Sequence, residues 1–207
     1  MLKTTLVRHG ETSGNDTDTL QGQLPGNLNK KGMDQAQVLK ETIEINKFDC
    51  VISTDLKRGL DTTKIIIGEH SIPLVYDSLL RERNFGEFQG TNRTSFYNLE
   101  RSMDDCYNNR PEGGESFQDL YDRAKQFVNK LKVNFRDKRV LIISHGDWIR
   151  MCLGVLKKLP VSEAAKIRQA NACINEVHID GDYCRFIKLN SVAHLPQVTL
   201  SKNKTDL

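Results

Sequence analysis

The chain has 207 residues, enough for one sizeable core, and its 38% hydrophobic and 28% charged residues are ordinary for a globular protein. The 30 basic and 27 acidic side chains leave a net charge of +3, too balanced to indicate nucleic acid or a membrane surface as a partner. No apolar run approaches the ~18 residues that span a bilayer. The five cysteines lack CxxC spacing, so we expect a cytoplasmic protein with reduced thiols and no bound metal.

The first half of the chain alternates apolar and amphipathic segments. Residues 2–7 are typical of a short buried strand, and residues 13–29, rich in Gly, Asn, Thr and Gln, are typical of a loop. The pattern then predicts a helix over 30–46, a strand over 50–53, a helix over 56–68 and a strand over 74–76.

The second half continues the alternation after an irregular stretch at residues 81–113. It predicts a helix over 117–135, a strand over 140–143, a helix over 147–158, and strands over 174–179 and 183–189 joined at Asp180-Gly181-Asp182. This order predicts an α/β sandwich with a mostly parallel central sheet. We expect residues 1–195 to form one domain and residues 196–207 to form a polar C-terminal tail.

Basic and imidazole side chains follow two of the predicted strands. Arg8-His9 comes directly after the first strand and Ser144-His145 after the strand at 140–143, while Arg58 lies shortly after the strand at 50–53. Ligands of open α/β sheets bind at the carboxyl ends of the strands. Arginine forks bind phosphate oxygens, and a neutral imidazole is a competent nucleophile toward phosphorus near pH 7. The pattern therefore indicates phosphoryl transfer through a histidine.

These residues lie in motifs that resemble the histidine phosphatase superfamily, also called the phosphoglycerate mutase-like fold. The resemblance covers residues 2 to about 195. LVRHGET at 6–12 resembles the family signature, with Asn15 at the family spacing. Further matches are Gln21-Gly22, the segment 53–58, the acid-bearing segment 79–90, PEGGES at 111–116 and Ser144-His145-Gly146.

The resemblance implies a three-layer α/β/α sandwich and a metal-independent phosphatase without a cofactor. It implies that His9 is the nucleophile and Glu82 the general acid and base. It also implies that Arg8, Arg58 and His145 bind the phosphoryl group. The pocket lining is then expected to come from Asn15, Gln21, Gly22 and the Gly146 amide.

Three functions remain open at this point. Mutases of the family carry a longer insertion after the acid-bearing segment, whereas only 20 residues separate Gly90 from Pro111 here, which favours net hydrolysis of a small-molecule phosphate ester. Residues 76–83 also resemble fructose-2,6-bisphosphatase-like enzymes, broad-specificity phosphatases and α-ribazole phosphatases. A second phosphate could be bound by basic residues at positions 30, 31, 93, 101 and 110. Cofactor-dependent phosphoglycerate mutase and a protein-binding or protein-phosphatase module are the alternatives.

Overall fold

The computed structural model describes residues 1–196 and contains one six-stranded sheet. The strands lie in the order β3-β2-β4-β1-β5-β6, and β3, β2, β4 and β1 are parallel, whereas β5 runs antiparallel to both of its neighbours. The strand bounds are β1 Leu2–Arg8, β2 Cys50–Ser53, β3 Leu74–Tyr76, β4 Arg139–Ser144, β5 Ile174–Asp180 and β6 Tyr183–Ser191. The predicted mostly parallel sheet is confirmed.

Seven α-helices connect and cover these strands within the described residues. Their bounds are α1 Ser13–Asp16, α2 Lys30–Thr42, α3 Lys57–Ile67, α4 Arg93–Arg101, α5 Phe117–Asn134, α6 Gly146–Lys157 and α7 Val161–Ala164. Over this part of the chain, no helix is both long and apolar enough to cross a membrane.

The core lies on both faces of the sheet, as the continuous apolar run of β4 requires. Val140 and Ile142 face a cluster made with α5 and α6, whereas Leu141 and Ile143 face a second cluster made with α2 and α3. Side chains of a strand alternate between the two faces of a sheet, so an uninterrupted apolar strand must be covered on both. This arrangement is the predicted three-layer α/β/α sandwich.

The longest helix, α5, has the start that its sequence predicts. The Ser116 hydroxyl accepts a hydrogen bond from the Asp119 amide at 3.0 Å, and the Asp119 carboxylate accepts one from the Ser116 amide at 2.8 Å. This reciprocal capping satisfies two amides at a helix end. The predicted turn between β5 and β6 is also confirmed, with Gly181 at φ +60°.

The structure differs from the sequence prediction in four places. The helix predicted to reach residue 46 ends at Thr42, because Ile43 adopts extended backbone and Ile45–Lys47 form a 3₁₀ turn. The loop predicted at 13–29 contains α1, the irregular stretch at 81–113 contains α4, and α7 was not predicted. Helix α4 is capped by the Asn92 side chain and places Phe96 in a small core formed through tertiary contacts. Except for Pro196, the predicted tail at 196–207 lies outside the described residues.

Candidate active site

The two histidines meet because β1 and β4 are adjacent, parallel and in register. Arg8, the last residue of β1, pairs with Ser144, the last residue of β4. The next residue on each strand is therefore a histidine, and the His9 amide donates to the Ser144 carbonyl at 3.0 Å. The ring centroids of His9 and His145 lie 5.0 Å apart, and both side chains are buried.

The hydrogen bonds of His9 define its tautomer. Nδ1 lies 2.7 Å from the Gly10 carbonyl oxygen, which can only accept, so Nδ1 carries the proton. Nε2 accepts from Nε of Arg58 at 3.2 Å and therefore holds the lone pair. Burial, together with the charges of Arg58 and Arg8, holds the pKa of His9 well below its usual range. His9 is thus a neutral imidazole with a basic Nε2.

Arg58 reaches the histidines from the first turn of α3. Its Nη2 donates to the Gly22 carbonyl at 2.7 Å and its Nη1 to the Leu24 carbonyl at 3.2 Å. Burial, reinforced by the Arg8 charge and opposed by Glu82, lowers the pKa of Arg58 to about 10, so the guanidinium stays charged near neutral pH. The Arg58 N–H groups that could bind phosphoryl oxygens therefore donate to two loop carbonyls in this structure.

Arg8 and His145 each contribute a buried polar atom to the site. Nη1 of Arg8 donates to the Gln169 carbonyl at 2.5 Å, and Nε2 of His145 contacts the Thr54 hydroxyl at 3.0 Å. Within residues 1–196, Nε of Arg8 and Nδ1 of His145 are buried without a hydrogen-bond partner. Nε of Arg8 is a donor, and Nδ1 of His145 is a donor in the tautomer whose Nε2 accepts from Thr54. Unpaired buried donors are costly, and an anionic ligand would satisfy both. We call Arg8, His9, Arg58 and His145 the catalytic floor.

Glu82 faces the catalytic floor from an irregular segment. Its carboxyl accepts from the backbone amides of Arg83 at 3.0 Å and Trp148 at 3.2 Å, with the Asp147 amide at 3.4 Å. Burial and the Asp147 charge raise the pKa of Glu82, whereas the charges of Arg58 and Arg8 oppose that increase. A carboxyl group with a raised pKa is suited to donate a proton near neutral pH. We call residues 77–90, which carry Glu82, the acid wall.

The acid wall is attached to the rest of the protein through its carbonyl groups. The Ser144 hydroxyl donates to the Leu80 carbonyl at 2.7 Å. Arg123 on α5 donates to the carbonyls of Leu79, Arg81 and Glu82 at 2.9, 2.7 and 3.1 Å and pairs with Glu115. One side chain thus binds three carbonyls around the proposed acid.

The buried Arg83 attaches the same wall to α4. Its Nη2 lies 2.6 Å from the Glu100 carboxylate, and both side chains are almost completely inaccessible to solvent. The guanidinium also lies over the ring of Phe117 at 4.2 Å from its centroid. Arg83 follows Glu82 directly, so this ion pair fixes the backbone next to the acid.

The four predicted lining residues occupy different positions around the floor. Asn15 and Thr12 form a reciprocal capping box at the start of α1, and Gln21 donates to the Thr12 hydroxyl at 2.7 Å. Asn15 and Gln21 therefore order the loop that follows β1. Gly22, at φ +52°, points its carbonyl at Arg58. Gly146 begins α6, and a Cβ there would lie 3.3 Å from the Arg8 guanidinium carbon, so glycine allows the close approach of arginine.

Several residues of this site were not predicted from the sequence. Arg123 occupies a polar position between the core-facing residues Leu120 and Ala124, and nothing in that spacing distinguishes it from a solvated charge. Asp147 and Tyr97 were also missed, although the Tyr97 hydroxyl donates to Asp147 beside Glu82 at 2.8 Å. The position of Asp147 directly after the Ser144-His145-Gly146 motif was the available signal. Across residues 1–196, no group of three or more His, Cys, Asp or Glu side chains could hold a metal ion.

Known proteins have similar sequences and the same fold. A metal-independent phosphoserine phosphatase of Arabidopsis thaliana is 30% identical over 93% of this chain and 83% of its own length. A probable phosphoglycerate mutase GpmB of Escherichia coli is 30% identical over 86% of this chain and 85% of its own. A mutant phosphoserine phosphatase of Entamoeba histolytica, solved with phosphoserine, superposes with a TM-score of 0.82 at 25% identity, covering 95% of this chain and all of that one.

The family profile agrees with the motifs that the sequence contains. The profile of the histidine phosphatase superfamily (branch 1) matches residues 4–192, which is nearly the whole chain. The resemblance found from the sequence is therefore confirmed, and this chain belongs to the histidine phosphatase superfamily, branch 1.

Proposed function

We propose that this protein hydrolyses phosphate monoesters of small metabolites through a phosphohistidine at His9, with Glu82 as general acid and base. The observation that carries the proposal is the state of His9: a neutral ring whose Nδ1 is bound to the Gly10 carbonyl, leaving Nε2 as the basic atom. Arg8 and Arg58 supply the fixed positive field that phosphoryl transfer requires. Burial and the Arg58 charge hold the pKa of His145 well below its usual range, so its ring is neutral and adds a polar nitrogen beside His9.

The proposed reaction has two balanced steps. In the first, Nε2 of His9 attacks phosphorus, the ester P–O bond breaks, and the Glu82 carboxyl gives its proton to the departing alkoxide. In the second, water attacks the phosphohistidine, Glu82 takes a proton from that water, and the P–N bond breaks to release phosphate. Phosphoryl oxygens would then accept the Arg58 hydrogen bonds that the Gly22 and Leu24 carbonyls accept in this structure.

The remaining assignments follow from the same site. We assign phosphoryl binding to Arg8, Arg58 and His145, and pocket lining to Asn15, Gln21, Gly22 and the Gly146 amide. We assign the catalytic unit to residues 1–195, and a cytoplasmic setting stays a prediction. No step needs a metal ion, and the name of the Arabidopsis relative supports that reading. Excess chelator should leave turnover unchanged, and a chelator-sensitive rate would contradict the metal-free mechanism.

Hydrolysis is favoured over mutase activity by the short stretch after the acid wall. The 20 residues between Gly90 and Pro111 contain α4, whose Phe96 and Glu100 are buried against the acid wall rather than open to a second substrate group. Relatives carry both names, phosphoserine phosphatase and probable phosphoglycerate mutase, so the distinction must be measured. Interconversion of 2- and 3-phosphoglycerate faster than phosphate release would favour the mutase.

We propose a small phosphorylated acid, with phosphoserine as the first compound to assay, because relatives with this name cover most of the chain. Fructose-2,6-bisphosphate stays a second candidate. Of the five cations predicted for a second phosphate, four are already paired with carboxylates: Lys30 with Asp34, Lys31 with Glu11, Arg93 with Asp18 and Arg110 with Asp119. This pairing makes them weaker candidates for a second phosphate subsite.

The test is phosphate release from a panel of esters by the wild type and three variants. The panel contains phosphoserine, both phosphoglycerates, fructose-2,6-bisphosphate, sugar monophosphates and an aryl phosphate. His9→Ala should abolish turnover of all of them, and His70→Ala, which removes an exposed histidine, should change nothing. Glu82→Gln should slow alkyl esters far more than the aryl ester, because a poor leaving group needs the proton.

The outcomes separate the candidate functions. One ester far ahead of the others, lost in His9→Ala, would identify both nucleophile and substrate. Equal kcat/KM for mono- and bisphosphate sugars would remove the bisphosphate candidate. Full turnover in His9→Ala would contradict the proposed nucleophile. Partner binding that survives His9→Ala, with no turnover in the wild type, would indicate a binding module.

A further inference from the structure

A second buried carboxyl group lies beside the proposed general acid. Asp147 is the second residue of α6, is only 5% exposed, and its backbone amide lies 3.4 Å from Oε2 of Glu82. The next amide, that of Trp148, donates to Oε1 of Glu82 at 3.2 Å. The start of one helix therefore presents two backbone amides to Glu82 and carries a buried carboxyl side chain on one of the two residues.

The two carboxyl groups have different partners. The Tyr97 hydroxyl donates to Oδ2 of Asp147 at 2.8 Å, and Nη1 of Arg150, one helical turn further, lies 3.2 Å from Oδ1. Glu82 instead accepts from the amides of Arg83, Asp147 and Trp148. A cation and a hydroxyl donor stabilise the ionised form of Asp147. Burial and the Asp147 charge raise the pKa of Tyr97 well above its usual range, so the hydroxyl remains a donor.

Two carboxyl groups this close in a buried site do not ionise independently. One keeps the charge, and the other then binds a proton more tightly, so their different surroundings decide which is the acid. The charged side chains that act on Glu82 are Arg8 at the end of β1, Arg58 on α3 and Asp147 at the start of α6. Arg123 on α5 contacts the Glu82 carbonyl and pairs with Glu115, and Arg150 pairs with Asp147. Burial leaves His9, His145 and Tyr97, the other titratable side chains of the site, uncharged near neutral pH. Asp147 is therefore the anion whose charge acts directly on Glu82.

Building on the proposed function, we propose that Asp147 is a positioning residue that keeps Glu82 protonated by holding the negative charge of the pair. It would act through Glu82 and would not contact the substrate. Its effect falls on the first step, because the ester oxygen receives its proton from Glu82. Without the Asp147 charge, Arg8 and Arg58 would favour the ionised form of Glu82.

The test compares kcat/KM against pH for the wild type, Asp147→Asn, Glu82→Gln and Asp34→Asn. The substrate is the alkyl ester from the panel that the wild type turns over best, with an aryl phosphate as reference. In the wild type, activity on the alkyl ester is present while Glu82 is protonated and is lost as pH rises through its pKa. Asp147→Asn should move this high-pH limb down by about one pH unit. Asp34→Asn removes an exposed negative charge and should leave the limb in place.

Two further measurements keep the inference testable if Asp147→Asn does not fold. Tyr97→Phe removes a donor to Asp147 but keeps its charge, so the high-pH limb should stay close to its wild-type position. A ¹³C NMR titration of the wild type should find the Glu82 carboxyl still protonated above the usual pH range of a glutamate. A Glu82 carboxyl that loses its proton within that usual range would overturn the inference.

The variants also separate this inference from the proposed role of Glu82. If Glu82→Gln removes the high-pH limb but Asp147→Asn does not move it, the role of Asp147 is wrong and that of Glu82 stands. If the limb persists in Glu82→Gln, Glu82 is not the acid, and the inference falls with it. An equal loss of alkyl and aryl turnover in Asp147→Asn at every pH would show a structural role only.

Discussion

The catalytic floor and the acid wall are built in different ways. Arg8, His9 and His145 are placed by adjacent parallel strands, so backbone pairing alone brings the two histidines together. The acid wall, which lies between β3 and α4, contains no strand or α-helix. The Arg123 side chain on α5 donates to its carbonyls, and backbone amides at the start of α6 donate to its carboxyl group. The proposed nucleophile, His9, is thus positioned by the sheet, and the proposed acid, Glu82, by individual long-range hydrogen bonds.

This difference predicts where substitutions act. A change in the floor should slow the reaction of every ester, because the proposed attack on phosphorus occurs there. A change that displaces the wall affects esters that need a proton most, and it also affects stability, because the wall depends on buried polar contacts.

Breaking the buried ion pair behind the wall should have the largest effect on stability. Arg83→Met leaves the Glu100 carboxyl without its partner at 2.6 Å, and we expect a loss of about 3–5 kcal/mol in the free energy of unfolding. Denaturant titration measures this. Lys132→Met, which breaks the Lys132–Asp182 pair whose aspartate is 89% exposed, is the matched control and should change little.

The double variant Arg83→Met, Glu100→Gln sharpens the interpretation. It removes both charges of the buried pair, so most of the lost stability should return. If Arg83→Met is no more destabilising than Lys132→Met, the acid wall does not depend on this pair.

Arg123 should affect catalysis through the position of Glu82. Arg123→Met removes donors to three carbonyls of the acid wall, and we expect kcat on an alkyl ester to fall about 10–100-fold. Turnover of an aryl phosphate should change only a few-fold, since that leaving group needs little help from an acid. Lys125→Met on the exposed side of the same helix is the control. A larger loss on the aryl ester would place Arg123 in the floor.

The buried His9 of the catalytic floor should make the free energy of unfolding depend on pH. Burial lowers the pKa of His9 in the folded protein, so below pH ~6.5 the unfolded chain binds a proton that the folded protein excludes. The free energy of unfolding should therefore fall with decreasing pH by up to about 1.4 kcal/mol per pH unit for this group. Measuring the free energy of unfolding of the wild type and of His9→Ala at pH 7.5 and 5.5 isolates the contribution of His9. An identical pH dependence in both proteins would contradict the neutral buried ring.

Sequence reasoning reached the floor more easily than the wall, for a physical reason. A strand that ends in Arg8-His9 and another that ends in Ser144-His145 must present those residues at one edge of a parallel sheet. Glu82 was identified through a motif, whereas its supports Arg123, Asp147 and Tyr97 are distant in sequence and follow no local period. Helix α4 was missed because its position depends on packing of Phe96 against Leu20 and Phe85, which no local pattern indicates.

The most direct test of the central claim is to trap the covalent intermediate. The enzyme is mixed with the best ester of the panel, quenched within a single turnover under alkaline conditions that preserve phosphohistidine, and analysed by mass spectrometry of its peptides. Catalysis through a phosphohistidine predicts phosphate on His9 of the wild type and none on the enzyme in His9→Ala. The phosphate should leave His9 at a rate no slower than steady-state turnover. Phosphate on another residue, or a full burst of alcohol with no phosphorylated enzyme, would contradict this mechanism.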